Sequence, residues 1–89
     1  MNSTTTDRFW ELFRALPREV RQQAQQAYQR FQREPFHPGL NFEEVDKQRG
    51  LWSARVSRSY RVLGYREGGE ITWFWIGSHR EYEKLLKGR

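Results

Sequence analysis

The sequence predicts an α+β domain in which an N-terminal helical hairpin packs on a three- to four-stranded antiparallel sheet and a short C-terminal helix follows. Three observations lead to this prediction. Apolar residues recur at helical spacing over the first third of the chain, and the later part shows the alternation and the short apolar runs that are typical of strands. A length of 89 residues leaves room for one domain with one core, so the prediction covers residues 1–89 as a single unit.

The first two helices are indicated by their starts and their apolar stripes. Thr6 or Asp7 can cap the first helix, and Pro17 suits the first turn of the second, which runs to about Arg33. The two stripes consist of Phe9, Leu12, Phe13 and Leu16, and of Val20, Ala24, Ala27, Tyr28 and Phe31. The other positions of the second helix are almost all Gln and Arg, which we interpret as a solvated face, with contact to an RNA backbone as the alternative.

The strands follow two prolines that end the second helix. A short edge strand is predicted around residues 40–45. In residues 52–57 apolar and polar side chains alternate, so that Arg55 is expected on the open face of the sheet. Residues 60–65 and 71–76 are apolar on both faces, which predicts two central strands joined by a glycine turn.

The last helix is predicted by a capping box, in which Ser78 is followed three residues later by Glu81. Its apolar stripe, Tyr82, Leu85 and Leu86, is expected to face inward.

The charge of the chain favours an anionic partner. Sixteen Lys and Arg against eleven Asp and Glu give a net charge of +5 and a pI near 10.1. From Lys47 to Arg66 there are six basic residues and no acidic one, which favours nucleic acid or an acidic protein as the partner. The lack of cysteine excludes a disulfide framework and a thiolate metal site, and two histidines without a paired carboxylate motif predict no metal site.

The sequence also predicts a location in the cytoplasm. No apolar stretch approaches the roughly 18 to 20 residues that a membrane-spanning helix needs. The first six residues are polar and do not resemble a signal peptide.

Residues 51–65 and 71–82 resemble the RelE/ParE toxin superfamily. The shared pattern is a strand with alternating basic residues, a Tyr-Arg pair at the start of the next strand (Tyr60 and Arg61), and an apolar strand that ends in Gly77 before basic or aromatic residues. Together with the helical hairpin, the resemblance covers most of the chain. It implies the toxin of a type II toxin–antitoxin system that needs no cofactor and is held inactive by an acidic antitoxin.

For RNA-cleaving members, the resemblance implies a concave sheet face that binds mRNA in the ribosomal decoding site. There a ribose 2′-hydroxyl attacks the adjacent phosphate without a metal ion. Arg61 corresponds to the strand arginine that holds the scissile phosphate, and Arg55 to a basic residue on the preceding strand. His79 falls where the family places a further basic or acid/base residue, and Tyr82 lies near the usual C-terminal tyrosine.

The chemistry of such a cleavage agrees with these residue types. It needs cations for the charge that develops on the phosphate, which arginines supply, and groups that carry protons, for which a histidine is the natural choice because it titrates near neutrality. We therefore predict Arg61, Arg55, His79 and Tyr82 as catalytic residues, and further RNA contacts at Arg58, Lys47, Arg49, Arg66 and Arg80. The competing interpretations make His79 a first-turn helix residue and Tyr82 a core residue.

Trp73, Phe74 and Trp75 form an aromatic run in the last strand. Because side chains alternate along a strand, at least one of them is expected opposite the helical hairpin, where it could stack on a base or fit an antitoxin. Core packing is the competing interpretation.

Three functional hypotheses stay open. The first is a ribosome-dependent mRNA endonuclease, whose partners are mRNA and the ribosome. The second is a ParE-like inhibitor of DNA gyrase that cuts nothing, and the third is an inactive toxin-fold RNA-binding module. The basic strand with Arg61 favours the first hypothesis, whereas Ser53 and Ser78, which stand where RNA cleavers often have lysines, favour the others.

Overall fold

The computed structural model describes residues 1–87, so the last two residues of the predicted domain, Gly88 and Arg89, lie outside the described part. Three helices and five strands make up an α+β fold, as the sequence predicts. In chain order they are β1 (Asn2–Thr5), α1 (Asp7–Arg14), α2 (Arg18–Arg33), β2 (Glu43–Asp46), β3 (Leu51–Ser57), β4 (Tyr60–Glu67), β5 (Glu70–Ser78) and α3 (His79–Lys87). No helix within residues 1–87 is long and apolar enough to cross a membrane.

The sheet has one strand more than the sequence predicts and is mixed rather than purely antiparallel. Its order is β1-β5-β4-β3-β2, and β1 runs parallel to β5 at one edge while all other pairs are antiparallel. The backbone amide of Asn2 donates to the Gly69 carbonyl over 2.9 Å, and that of Thr6 donates to the Trp73 carbonyl over 3.1 Å. Residues 2–5 carry no apolar alternation, so this strand is held by backbone pairing and by side-chain hydrogen bonds such as that between the Thr4 and Thr72 hydroxyls.

The starts of α1 and α3 follow the predicted chemistry, whereas Pro17 immediately precedes α2 as its N-cap rather than lying in its first turn. Thr6, rather than Asp7, caps α1, because its Oγ1 accepts a hydrogen bond from the Phe9 amide over 3.1 Å. The capping box of α3 is also confirmed: the Glu81 amide donates to Ser78 Oγ over 3.1 Å, and the Ser78 amide donates to Glu81 Oε1 over 3.4 Å.

The hydrophobic core lies between the α1–α2 layer and one side of the sheet, which we call the hairpin face. Its centre is formed by buried residues from both layers, including Phe9, Phe31, Phe42, Ala54, Ile71, Trp73 and Ile76. The ring of Phe31 packs edge-on against Trp73 with 5.4 Å between centroids. Burial of large rings lets this short chain form a core, because each adds much apolar area.

The opposite side of the sheet carries α3 and, as shown below, Arg55 and Arg61; we call it the arginine face. The alternation predicted for β3 holds, since Trp52, Ala54 and Val56 pack toward the hairpin layer and Arg55 is exposed. The expectation that Ser53 also lies open is wrong. Ser53 is only 3% exposed because α3 covers it, and its Oγ accepts a hydrogen bond from the Tyr82 hydroxyl over 3.2 Å.

Candidate active site on the arginine face

The strand register brings the two predicted catalytic arginines together. Arg55 on β3 lies directly opposite Arg61 on β4, and Arg61 lies opposite Gly77 on β5. Residues that face each other across neighbouring strands project to the same side of the sheet. Arg55, Arg61 and Gly77 therefore form one row across three strands of the arginine face.

Arg61 is held in place by one of its terminal nitrogens. Its Nη1 donates to the Ser57 carbonyl over 2.7 Å and to the Tyr60 carbonyl over 3.0 Å, and a longer bond of 3.3 Å reaches the Arg58 carbonyl. These acceptors belong to the turn between β3 and β4 and its flanks. No further hydrogen bond joins the guanidinium to residues 1–87, so Nε and Nη2 keep their N–H donors for a ligand.

The surroundings of Arg61 do not favour its positive charge. Burial lowers the pKa of Arg61 from its ordinary value, Arg55 lowers it further, and Tyr82 opposes the shift. An arginine nevertheless remains a cation at neutral pH. Two like charges on facing strands repel each other, and within residues 1–87 no carboxylate forms an ion pair with either arginine. An anionic ligand would relieve this repulsion.

His79 begins α3 at the edge of the same site. Its backbone amide donates to the Ser59 carbonyl over 2.7 Å, which ties the helix start to the turn between β3 and β4. Its Nε2 lies 2.8 Å from Glu83 Oε1, and its ring stacks on Tyr82 with 5.7 Å between centroids. Nδ1 is buried and has no hydrogen-bond partner among the described residues.

Glu83 was not singled out by the sequence reasoning. The signal that could have found it is the spacing of four residues from His79 within a predicted helix, because side chains at i and i+4 are neighbours on a helix surface. The pair matters for any proton transfer, since Glu83 occupies the one ring nitrogen of His79 that is not buried.

Tyr82 is a buried residue, 8% exposed, as its position on the apolar stripe of α3 predicts. Its hydroxyl donates to Ser53 rather than into the open part of the site.

The predicted RNA-binding residues separate into three groups. Arg58, in the turn between β3 and β4, and Arg80, in the first turn of α3, are exposed and border the arginine pair. Lys47 and Arg49 lie in the turn before β3, and Arg49 forms an ion pair of 3.2 Å with Asp46. That turn is at the other end of β3, whose first residue, Leu51, already lies about 13 Å from Arg55 at the usual rise of a strand.

Arg66 lies on the opposite side of the sheet from Arg61. It faces Ile71, a core residue, across β4 and β5. Its guanidinium stacks 4.5 Å above the Trp52 ring and also lies near Phe36 and Phe42. Its Nε donates to the Gly68 carbonyl over 3.2 Å. The structure therefore does not bring Arg66 together with the other predicted site residues.

The aromatic run of β5 is divided between the two faces, as predicted. The register shifts between the Leu63–Trp75 pair and the Gly64–Trp73 pair, so that Phe74 forms a bulge. Trp73 consequently packs in the core, 5% exposed, while Trp75 lies beside Gly77 on the arginine face.

Several solved structures share this fold. A YoeB/ParE toxin from Agrobacterium tumefaciens is 16% identical, with a TM-score of 0.66, over 89% of this chain and 99% of that one. A chain of the RelB–RelE antitoxin–toxin complex from Methanococcus jannaschii is 11% identical, with a TM-score of 0.73, over 92% and 96%. The isolated RelE toxin of E. coli is 14% identical, with a TM-score of 0.61, over 97% and 95%.

No curated protein matches the sequence. The sequence model of the ParE-like toxin domain, in contrast, matches residues 18–84, from the start of α2 into α3. This range includes the arginine pair, His79 and the whole antiparallel part of the sheet. The chain therefore belongs to the family of ParE-like toxin domains, and with it to the RelE/ParE superfamily of toxins from type II toxin–antitoxin systems.

Proposed function

We propose that this toxin cleaves mRNA on the ribosome and that an acidic antitoxin neutralises it. The observation that carries the proposal is the Arg55–Arg61 pair, two cations on facing strands for which residues 1–87 provide no carboxylate partner. A phosphodiester is the anion that fits this pair, because planar guanidinium groups donate two parallel hydrogen bonds to phosphate oxygens.

In the proposed reaction the ribose 2′-oxygen bonds to the adjacent phosphorus and the bond to the 5′-oxygen breaks. One proton leaves the 2′-hydroxyl and one is added to the departing 5′-oxygen, which gives a 2′,3′-cyclic phosphate and a 5′-hydroxyl. Arg61 stabilises the charge on the phosphate through Nε and Nη2, because Nη1 is already fixed by backbone carbonyls. A donor that is fixed before the reaction needs no reorganisation as the charge develops.

His79 is the proposed proton carrier. Since Nδ1 is buried, the proton has to pass through Nε2, and Nε2 has to leave Glu83 when RNA binds. In this scheme Nε2 takes the proton of the 2′-hydroxyl and gives it to the departing 5′-oxygen, so His79 is neutral again at the end of the turnover and Nε2 can return to Glu83. Tyr82 supports this site by packing against the His79 ring.

The test is a purified translation reaction in which an mRNA is translated with and without the chain. We expect cuts within the ribosomal A site, with 2′,3′-cyclic phosphate ends, and no cutting of the same mRNA when it is not being translated. If the mRNA on translating ribosomes stays intact in the presence of the chain, the nuclease mechanism is rejected.

A second candidate is inhibition of DNA gyrase without catalysis. Two observations favour it: Ser53, where a lysine is common in RNA cleavers, is buried under Tyr82, and His79 is paired with Glu83 rather than free. Gyrase supercoiling of plasmid DNA is the discriminating assay. Inhibited supercoiling with intact mRNA would reassign Arg55 and Arg61 to protein contacts, and RNA binding without either effect would indicate an inactive toxin-fold module.

The antitoxin is proposed to bind as an acidic segment with apolar anchors, in the cytoplasm. A groove of about 480 Å³ lies between α1, α2 and the sheet. Its lining is mostly apolar and includes Phe13, Tyr28 and Val56, with Arg55 at its margin. A partner that fills the groove with apolar side chains and places a carboxylate at Arg55 would bind tightly and resist salt. Copurification from the native locus with a small acidic protein is the expected result.

A further inference from the structure

Trp75 on the arginine face packs closely against Gly77. A Cβ added to Gly77 would be 2.5 Å from Cζ2 and 2.8 Å from Cη2 of the indole, distances that no real Cβ contact shows. The ring therefore rests where only a glycine allows it. Gly77 is also the residue that faces Arg61 across β4 and β5, so the indole lies one strand away from the arginine pair.

Trp75 differs from the other tryptophans in its contacts. Within residues 1–87 it stacks on no aromatic ring and no cation, and its indole nitrogen makes no hydrogen bond. The other three have aromatic neighbours: Trp10 contacts Phe9 and Phe13, Trp52 contacts Phe36 and Phe42, and Trp73 contacts Phe31 and Phe42. Trp75 as a whole is half-buried, so part of its side chain is accessible to a ligand.

We propose that Trp75, held by Gly77, is a platform on which one base of the bound RNA stacks, beside the phosphate held by Arg55 and Arg61. The proposal rests on RNA being the ligand of this face. Proteins that bind single-stranded nucleic acid combine aromatic rings with nearby cations, because the ring stacks on a base and the cations contact the backbone. Trp75 beside the arginine pair is such a combination. Stacking of this kind accepts any base, so the platform contributes affinity more than sequence preference.

The bulge at Phe74 explains how the platform arises. In a regular strand Trp73 and Trp75 would point to the same side. The register shift sends Trp73 into the core and leaves Trp75 on the arginine face. One irregularity in β5 therefore supplies both a core residue and a ligand-facing aromatic.

The test measures binding of a short fluorescein-labelled oligouridine by fluorescence anisotropy, beside an abasic ribose-phosphate oligomer of the same length. We expect Trp75→Ala to weaken oligouridine binding about 5- to 100-fold, the range that corresponds to one stacked base. Gly77→Ala should act in the same direction, because the added methyl group displaces the indole, and Trp75→Phe should retain most of the affinity. The abasic oligomer should bind wild type and Trp75→Ala equally.

Trp10→Ala is the matched control, since Trp10 is an exposed tryptophan on α1. The platform would be overturned if Trp10→Ala and Trp75→Ala lowered the affinity for oligouridine equally. It would also be overturned if Trp75→Ala lowered the affinity for the abasic oligomer. Unchanged RNA binding by Trp75→Ala, together with a weaker complex with the copurified antitoxin, would assign the indole to the antitoxin interface and also overturn it. If the wild type binds no single-stranded RNA, or if it binds RNA equally well without Trp75, the platform is overturned, whereas the proposed function is tested separately by the translation assay.

Discussion

Arg61 and Arg66 lie on the same strand, β4, and face opposite sides of the sheet. The guanidinium of Arg66 stacks on Trp52, and its Nε donates a hydrogen bond to the Gly68 carbonyl. The positive charge of Arg66 and one of its N–H donors therefore already have partners within the protein. Arg61 is anchored through Nη1 alone, next to a second arginine. The comparison teaches that a basic residue indicates a binding site only when the fold leaves its donors unused.

The largest expected effect separates these two arginines by function. Arg61→Ala should lower mRNA cleavage about 10²- to 10³-fold, because it removes a positioned cation from the phosphate. Arg61→Lys should restore little, since an ammonium group presents its three donors from a single nitrogen and lacks the planar pair of donors that bonds a phosphate. Cleavage rates in the translation assay provide the measurement.

Arg30→Ala, on the exposed face of α2, is the control for general charge. Equal losses in Arg30→Ala and Arg61→Ala would mean that only nonspecific attraction to RNA is at work.

The next largest effect on the cleavage rate is expected from His79, at the edge of the site where α3 begins. His79→Ala should slow cleavage about 10²-fold or more if the imidazole transfers a proton. Lys84→Ala, an exposed change on the same helix, should leave the rate unchanged. A His79→Ala enzyme that is as fast as Lys84→Ala would make His79 a helix-start residue only.

Arg66→Ala should affect stability rather than activity. The loss of its stacking on Trp52 is expected to lower the free energy of unfolding by about 1–2 kcal/mol, which urea denaturation measures. Arg49→Ala is the comparison: its side chain is half exposed, although that of its ion-pair partner Asp46 is mostly buried, and loss of the pair is expected to cost about 1 kcal/mol. Reduced RNA affinity in Arg66→Ala at unchanged stability would contradict the division between the two faces.

The smallest expected effect is at the start of α3. Ser78→Ala removes the acceptor of the Glu81 amide and should lower the free energy of unfolding by about 1 kcal/mol. Faster hydrogen exchange of the Glu81 amide in Ser78→Ala would show that the loss of stability arises at the start of α3. Ser59→Ala, in the exposed turn whose carbonyl accepts from His79, should leave that exchange rate as it is, since the bond involves only the Ser59 backbone.

Much of the site could be predicted from the sequence, and the features that this prediction missed were missed for physical reasons. The arginine pair follows from alternation in β3 and from the family resemblance of Tyr60-Arg61, and both residues lie on the expected face. Glu83 was missed although helical spacing alone would have indicated it. The burial of Ser53 could not be foreseen, because it depends on where α3 crosses the sheet.

The sequence by itself determined the local features: the start of α1, the end of α2 at Arg33, the capping box at Ser78, and the alternation that exposes Arg55. These depend on hydrogen bonds and contacts between residues a few positions apart. Only the tertiary structure decided that β1 joins the sheet, that a bulge divides Trp73 from Trp75, and that Arg66 is stacked on rings while Arg61 keeps free donors. Each of these depends on a partner distant in the chain, and strand pairing through the backbone leaves little trace in the side-chain pattern.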